Sequence, residues 1–163
     1  GSQRDELEQS AYQIVSILRQ AQNYAISGYS TNTCSGCLRY GVSFITYNGA
    51  GSVSVQPTLF GQTNSAGDEN VILPLNSKPL ADKIIISNLE VKYADSNKYQ
   101  VIDNNVIFEL PNARIFQPTF FGSSMVSLKI TLKHNGLGLF QVLTKTITIN
   151  AVSGQISVGP TTN

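Results

Sequence analysis

Residues 5–27 are the one segment of the chain whose apolar residues recur at helical spacing. The recurring positions are Leu7, Ala11, Ile14, Leu18, Ala21 and Ala25. Val15 and Ile26 widen this stripe, and the opposite side is polar. The spacing predicts an amphipathic helix over residues 3–28, with Gly28 as its C-cap and the six residues as its packing face. The alanines in the stripe favour a close approach to a sheet.

After residue 37 the pattern becomes that of short β-strands separated by turns rich in Gly, Asn and Asp. The strand-like runs are residues 38–47, 52–56, 71–75, 83–87, 89–93, 99–102, 106–110, 125–133, 139–149 and 155–158. Residues 103–105 predict a hairpin between the sixth and seventh runs. Residues 61–70 predict a polar loop, and residues 159–163 are expected to fray.

The order of these elements predicts the fold class. One helix precedes all the strands, and no strand–helix–strand alternation occurs, so we expect an α+β fold with a long N-terminal helix packed on antiparallel sheet. The length of 163 residues fits one domain, with the helix over 3–28 and a β-rich globular part over 29–163.

The composition narrows the function. Charged residues make up 13% of the chain, about half the usual share of roughly 25%, and the net charge is +1. Non-specific nucleic-acid binding needs clustered Lys and Arg, which the sequence lacks. The longest apolar stretches have the length of strands, too short to span a bilayer. No phosphate-binding, dinucleotide, metalloprotease or nucleophile-elbow motif occurs, so we expect neither enzyme activity nor a cofactor.

The two cysteines, Cys34 and Cys37, lie in a segment rich in Ser, Thr, Asn and Gly. The interpretation we favour is a disulfide of an exported protein, which would pin the segment between helix and first strand. A redox-active pair would need a helix after the first cysteine, but a strand-like run follows. A zinc site would need four ligands, and only His134 adds a nitrogen. Free thiols are the remaining alternative.

His134 is the only histidine, and its polar turn predicts a solvated side chain. Asp68, in the polar loop, is the best candidate for a weak calcium site. The phenylalanine-rich residues 116–121 predict core packing or, as an alternative, an exposed contact patch.

Basic residues suggest a small ligand patch on outward positions of paired strands. Its predicted members are Lys129, Lys133, Lys145 and Arg39, with Arg114 beside them. The alternative interpretation is a solvated sheet face whose lysines protect an edge strand.

Several of these segments together resemble a known family. Residues 4–11 (RDELEQSA) and 18–25 (LRQAQNYA) resemble the exposed half of a type IV pilin-like helix. Residues 38–44 (LRYGVSF) resemble the strand that follows it in the GspH/FimT group of minor pilins and pseudopilins. The C-terminal half of that group is similar to three segments, VIF at 106–108, SLKITL at 127–132 and KTITIN at 145–150, closing on GQI at 154–156. The resemblance covers about residues 4–158.

The resemblance implies a subunit made as a methylated prepilin. An apolar half-helix anchors such a precursor in the inner or cytoplasmic membrane and later packs with its copies in the filament core. That half would have been removed here. Gly1 and Ser2 themselves resemble a cloning scar, with a native mature terminus as the alternative. The expected function is a structural subunit of a type IV pilus or type II secretion filament, in the periplasm or at the cell surface. Its partners would be other pilin or pseudopilin subunits.

The alternative function is a binding module at a filament tip, either an adhesin or a DNA-binding minor pilin. DNA-binding members carry a basic tail after the closing strand. The matching residues here, 154–159, contain neither Arg nor Lys, so we do not expect DNA as a partner.

Overall fold

Over the residues that it describes, the computed structural model contains one helix followed by ten strands. It describes residues 2–28, 34, 36–49, 52–63, 70–72, 78–95, 99–101, 104–116, 125–135 and 141–163. The elements are α1 Ser2–Ser27, β1 Arg39–Gly49, β2 Ser52–Gln62, β3 Asn70–Ile72, β4 Ile84–Tyr93, β5 Tyr99–Val101, β6 Asn105–Glu109, β7 Arg114–Phe116, β8 Met125–His134, β9 Leu143–Asn150 and β10 Ile156–Val158.

Helix α1 buries the predicted stripe. All six residues of the predicted packing face have no exposed surface, and Val15 is 5% exposed. The prediction for Ile26 was wrong, because this side chain is 60% exposed. It lies in the last turn of the helix, which ends at Ser27. Gly28 follows with a φ of 64°, the left-handed conformation in which a glycine ends a helix without a Cβ clash.

The first sheet, called sheet A, has the strand order β3-β2-β1-β6-β7, and every pairing in it is antiparallel. Strands β1 and β2 form a long hairpin that runs from the pair Gly49/Ser52 to the pair Arg39/Gln62. Strand β2 is therefore longer than its alternating part predicts, and it includes Gly61, which the sequence assigned to a loop. Strand β7 was missed because it has only three residues.

The second sheet, sheet B, has the order β10-β9-β8-β4-β5 and is also antiparallel. The two predicted runs 83–87 and 89–93 are one strand, β4, whose register against β8 shifts between Ile86 and Asn88. A β-bulge of this kind keeps both halves of the strand in one sheet while the apolar alternation changes phase.

Two predictions about chain connections were wrong. Strands β5 and β6 do not form a hairpin, since β5 pairs with β4 in sheet B and β6 pairs with β1 in sheet A. The tail does not fray either. Beyond β10 it continues along β9, where the amides of Thr144 and Thr162 each donate to the other's carbonyl at 2.9 Å.

The helix and both sheets share one buried apolar cluster. It includes Leu18 from the helix, Tyr40 and Phe108 from sheet A, and Ile130 and Ile147 from sheet B. Helix α1 contacts strands of both sheets along its length. The predicted class, an N-terminal helix packed on antiparallel sheets in an α+β fold, is confirmed. Within the part of the chain that is described, none of the helical segments is both long and apolar enough to cross a membrane.

Candidate assembly surface

If the protein is a filament subunit, the outward face of α1 is the surface that would contact neighbouring subunits. Tyr12 is 58% exposed on this face, and Ser16, Arg19 and Asn23 are exposed on the following turns. Arg19 is the only charged residue between Gln9 and Ser27. The solvated side of a surface helix usually carries many charged residues. Apart from Arg19, the face formed by Tyr12, Ser16, Arg19 and Asn23 carries uncharged polar groups and one exposed aromatic ring, and we call it the outer helix face.

A buried histidine holds the N-terminal part of the helix to sheet B. His134 Nε2 lies 3.0 Å from Glu6 Oε2, and the His134 side chain is only 4% exposed while that of Glu6 is 44% exposed. The prediction of a solvated turn residue was wrong. His134 is the last residue of β8 and follows Leu128, Ile130 and Leu132 on the inward face, so strand alternation turns it toward the helix.

Two glutamines and a pair of tyrosines hold the rest of the helix. Gln13 Nε2 donates to the Lys78 carbonyl at 2.8 Å, and Gln22 Nε2 donates to the Gly154 carbonyl at 2.7 Å. The rings of Tyr24 and Tyr40 meet edge to face, with centroids 5.6 Å apart. These contacts flank the buried stripe and fix the helix in rotation, and the outer helix face stays exposed.

The two cysteines form a disulfide, and neither is exposed by more than 6%. The bond packs on Gly61 of β2, where an added Cβ would overlap both sulfur atoms. It therefore belongs to the core beside sheet A, directly before β1. Both sulfurs are engaged and buried, which leaves no reactive thiol in this state.

The structure does not bring the four predicted patch residues together. Lys129 is half-buried on the outward face of β8, where its Nζ lies 3.9 Å from Glu90 Oε1 of β4. Lys133 is on the same face, also half-buried. Arg39 belongs to sheet A and is buried, with its guanidinium carbon 3.7 Å from the centre of the Phe116 ring. It also donates through Nη1 to Gln62 Oε1 at 3.4 Å. Of the predicted members, this leaves two half-buried lysines in sheet B and Arg114, which is exposed but belongs to β7 of sheet A.

Lys145 faces inward, contrary to prediction. It is paired with Leu132 across the sheet and shares the inward face of β9 with Leu143 and Ile147. Only 7% of its surface is exposed, and its Nζ donates to Thr161 Oγ1 of the C-terminal tail at 3.3 Å. The alternation of β9 already grouped Lys145 with the apolar residues, so this position could have been read from the sequence.

Burial has one clear electrostatic effect in sheet B. Tyr93, the last residue of β4, is 4% exposed, and desolvation of its phenol raises the pKa of Tyr93 above the ordinary value.

Two further predictions concern a calcium site at Asp68 and a contact patch at residues 116–121. Asp68 and residues 117–121 lie outside the described residues. Among the residues that are described, no group of three or more metal-ligating side chains occurs.

Comparison with protein-family models, with curated proteins and with solved structures gave no match for this chain.

Proposed function

We propose that the protein is a structural subunit of an extracytoplasmic filament, a minor pilin or pseudopilin of a type IV pilus or type II secretion system. The proposal rests on two observations. The helix and strand segments resemble the GspH/FimT group, and α1 has a buried apolar stripe on one side and a mostly uncharged exposed face on the other. In this function the outer helix face would meet neighbouring subunits, while the two sheets would form the outward globular part.

The observation that carries the proposal is the outer helix face itself. A helix that had only to support its own domain would gain solubility from charged residues on its solvated side. Here that side is uncharged apart from Arg19 over eighteen residues that follow Glu8, and it exposes the ring of Tyr12. Hydrogen-bonding side chains without net charge suit a contact with a neighbouring helix, because they are less costly to desolvate than charges.

The alternative, a DNA-binding module at a filament tip, has no comparable support among the described residues. Lys129 is paired with Glu90, and both Arg39 and Lys145 are buried. Lys133 is half-buried in sheet B, and the exposed Arg114 lies in the other sheet. Phosphate binding needs several exposed cations, because affinity scales with the number of phosphates neutralised.

The test uses the full-length gene in the source organism. We expect deletion to abolish piliation or secretion, and we expect the restored subunit to appear in sheared filaments on an immunoblot. Full-length protein with Tyr12→Glu should fail to restore the phenotype, because a new charge would be buried between subunits. The isolated domain should keep its Tm within about 2 °C, since Tyr12 is exposed.

The matched control is Val152→Glu, in the turn between β9 and β10, where the side chain is 91% exposed. This variant should restore function like the wild type. A subunit that never enters the filament fraction, or a Tyr12→Glu protein that restores function fully, would contradict the proposal.

A further inference from the structure

The disulfide lies where three strands of sheet A come together. The Leu38 amide donates to the Gln62 carbonyl at 2.8 Å, and the Leu110 amide donates to the Leu38 carbonyl at 3.2 Å. Leu38 directly follows Cys37, so these bonds connect the disulfide segment to the end of β2 and to the residue after β6. The junction of β1, β2 and β6 is thus built around the two cysteines.

Because Gly61 has no side chain, the two sulfurs of the disulfide fit against β2 at this junction. An added Cβ at this residue would overlap the sulfurs of Cys34 and Cys37 and would lie 3.4 Å from Tyr40 Cε1. The two sulfurs therefore occupy the volume that a side chain would take on β2. Cys34 is 1% exposed and Cys37 is 6% exposed, so surrounding atoms enclose the pair on its other sides as well.

Reduction would change the volume that this site must hold. Bonded sulfurs are separated by about 2.05 Å in proteins. Two unbonded heavy atoms need about 3.5–4 Å. Close-packed interiors do not absorb such a change without local shifts. We infer that the Cys34–Cys37 bond is a redox-sensitive lock on the β1–β2–β6 junction: the site accepts the bonded pair, and two thiols force β2 away at Gly61.

The chemistry of the lock is a two-electron exchange. On closing, the two thiols lose two protons and two electrons, which a disulfide-bearing oxidant accepts as it becomes a dithiol. Dithiothreitol reverses the step and is itself oxidised to its cyclic disulfide. Because attack on a disulfide needs access to a sulfur, the burial of Cys34 and Cys37 makes the closed bond slow to reduce once the junction has formed.

Chain entropy makes only a small contribution to this lock. The two cysteines are three residues apart in sequence, and the stabilisation from closing a loop decreases as the loop shortens. The stability difference between oxidised and reduced protein should therefore come mainly from packing at Gly61. In the ordinary case the opposite holds, and buried thiols behave as small apolar side chains that stabilise a core.

The first test is amide hydrogen exchange on the whole chain, before and after reduction with dithiothreitol, with alkylation confirming two thiols per molecule. We expect exchange at Leu38, Gly61, Gln62 and Leu110 to accelerate about tenfold or more, while the amides of β8 and β9 stay protected. Unchanged exchange at the junction, or equal acceleration in both sheets, would overturn the inference.

The second test compares reduced wild type with the double variant Cys34→Ala/Cys37→Ala, both in dithiothreitol. Neither has the bond, so their difference isolates the crowding by thiols. We expect the double variant to melt higher, by about 3 °C or more. A reduced wild type that melts at the same or a higher temperature would contradict the lock. So would a double variant that fails to fold, since loss of the bond alone would then explain the effect.

Discussion

The two sheets differ in how many of their faces are buried. In sheet B the inward residues of β8 and β9 are buried, while outward ones such as Thr131, Thr146 and Thr148 remain partly exposed. In sheet A both faces are buried around the disulfide end of β1. Tyr40 and Val42 face the shared core, whereas Arg39 and Gly41, on the opposite face, are buried as well.

This difference shows what strand alternation can and cannot reveal. A sheet with one wet face alternates apolar and polar residues, and the buried set follows from the sequence. A sheet buried on both faces can place Arg, Gln and Gly where they are covered. Phe60 is 4% exposed and Gln62 5% exposed on the outer face of β2, although the sequence around them resembles a surface strand and loop.

The largest effect that tests this contrast is expected at Phe60. Phe60→Ala should cost about 4 kcal/mol of unfolding free energy, the usual cost for a buried aromatic side chain. Thr148→Ala, on the outward face of sheet B, should cost less than about 0.5 kcal/mol. Urea denaturation of both variants gives the comparison. Similar small costs would show that the outer face of sheet A does not behave as core.

The second largest loss of stability is expected when a glycine of β1 is replaced. An added Cβ at Gly41 would lie 2.6 Å from the Val106 carbonyl oxygen and 2.7 Å from Phe60 Cζ. Because the backbone oxygen cannot move aside, Gly41→Ala should cost about 3 kcal/mol.

Gly159→Ala, beside sheet B, is the matched control. Its nearest neighbour would be Thr146 Oγ1 at 3.2 Å, a side chain that can rotate. The cost should stay below about 1 kcal/mol. Thermal unfolding measures both variants, and a Gly41→Ala protein that melts like the wild type would contradict the close approach of β1 and Phe60.

The smallest effect separates two lysines of sheet B. Lys145→Ala removes a buried stem and its hydrogen bond to Thr161, and we expect a loss of about 2 kcal/mol. Lys129→Ala removes a partly exposed ion pair with Glu90, which should cost about 0.5 kcal/mol.

Lys145→Met keeps the apolar stem and should recover more than half of the loss, again measured by urea denaturation. Equal costs for the two alanine variants would show that Lys145 is not held within the inward face of β9.

The candidate functional residues also divide into those that local periodicity predicts and those that it does not. The stripe from Leu7 to Ala25 could be predicted because a helix repeats every 3.6 residues, and the face opposite a buried stripe is then fixed by geometry. The basic patch could not be predicted in this way, because the sequence does not show to which sheet each of its members belongs. Arg39 belongs to sheet A and the three lysines to sheet B, and only strand pairing decides that.

The sequence by itself determined the long N-terminal helix, its buried face, the antiparallel strands and the cysteine pair. Each of these depends on neighbouring residues, through local periodicity, turn chemistry or spacing. Only the tertiary structure decided that β5 and β6 pair in different sheets, that His134 meets Glu6, and that Gly61 receives the disulfide. Those contacts join residues far apart in the chain, and the free energy that selects them comes from packing elements together, which no local pattern contains.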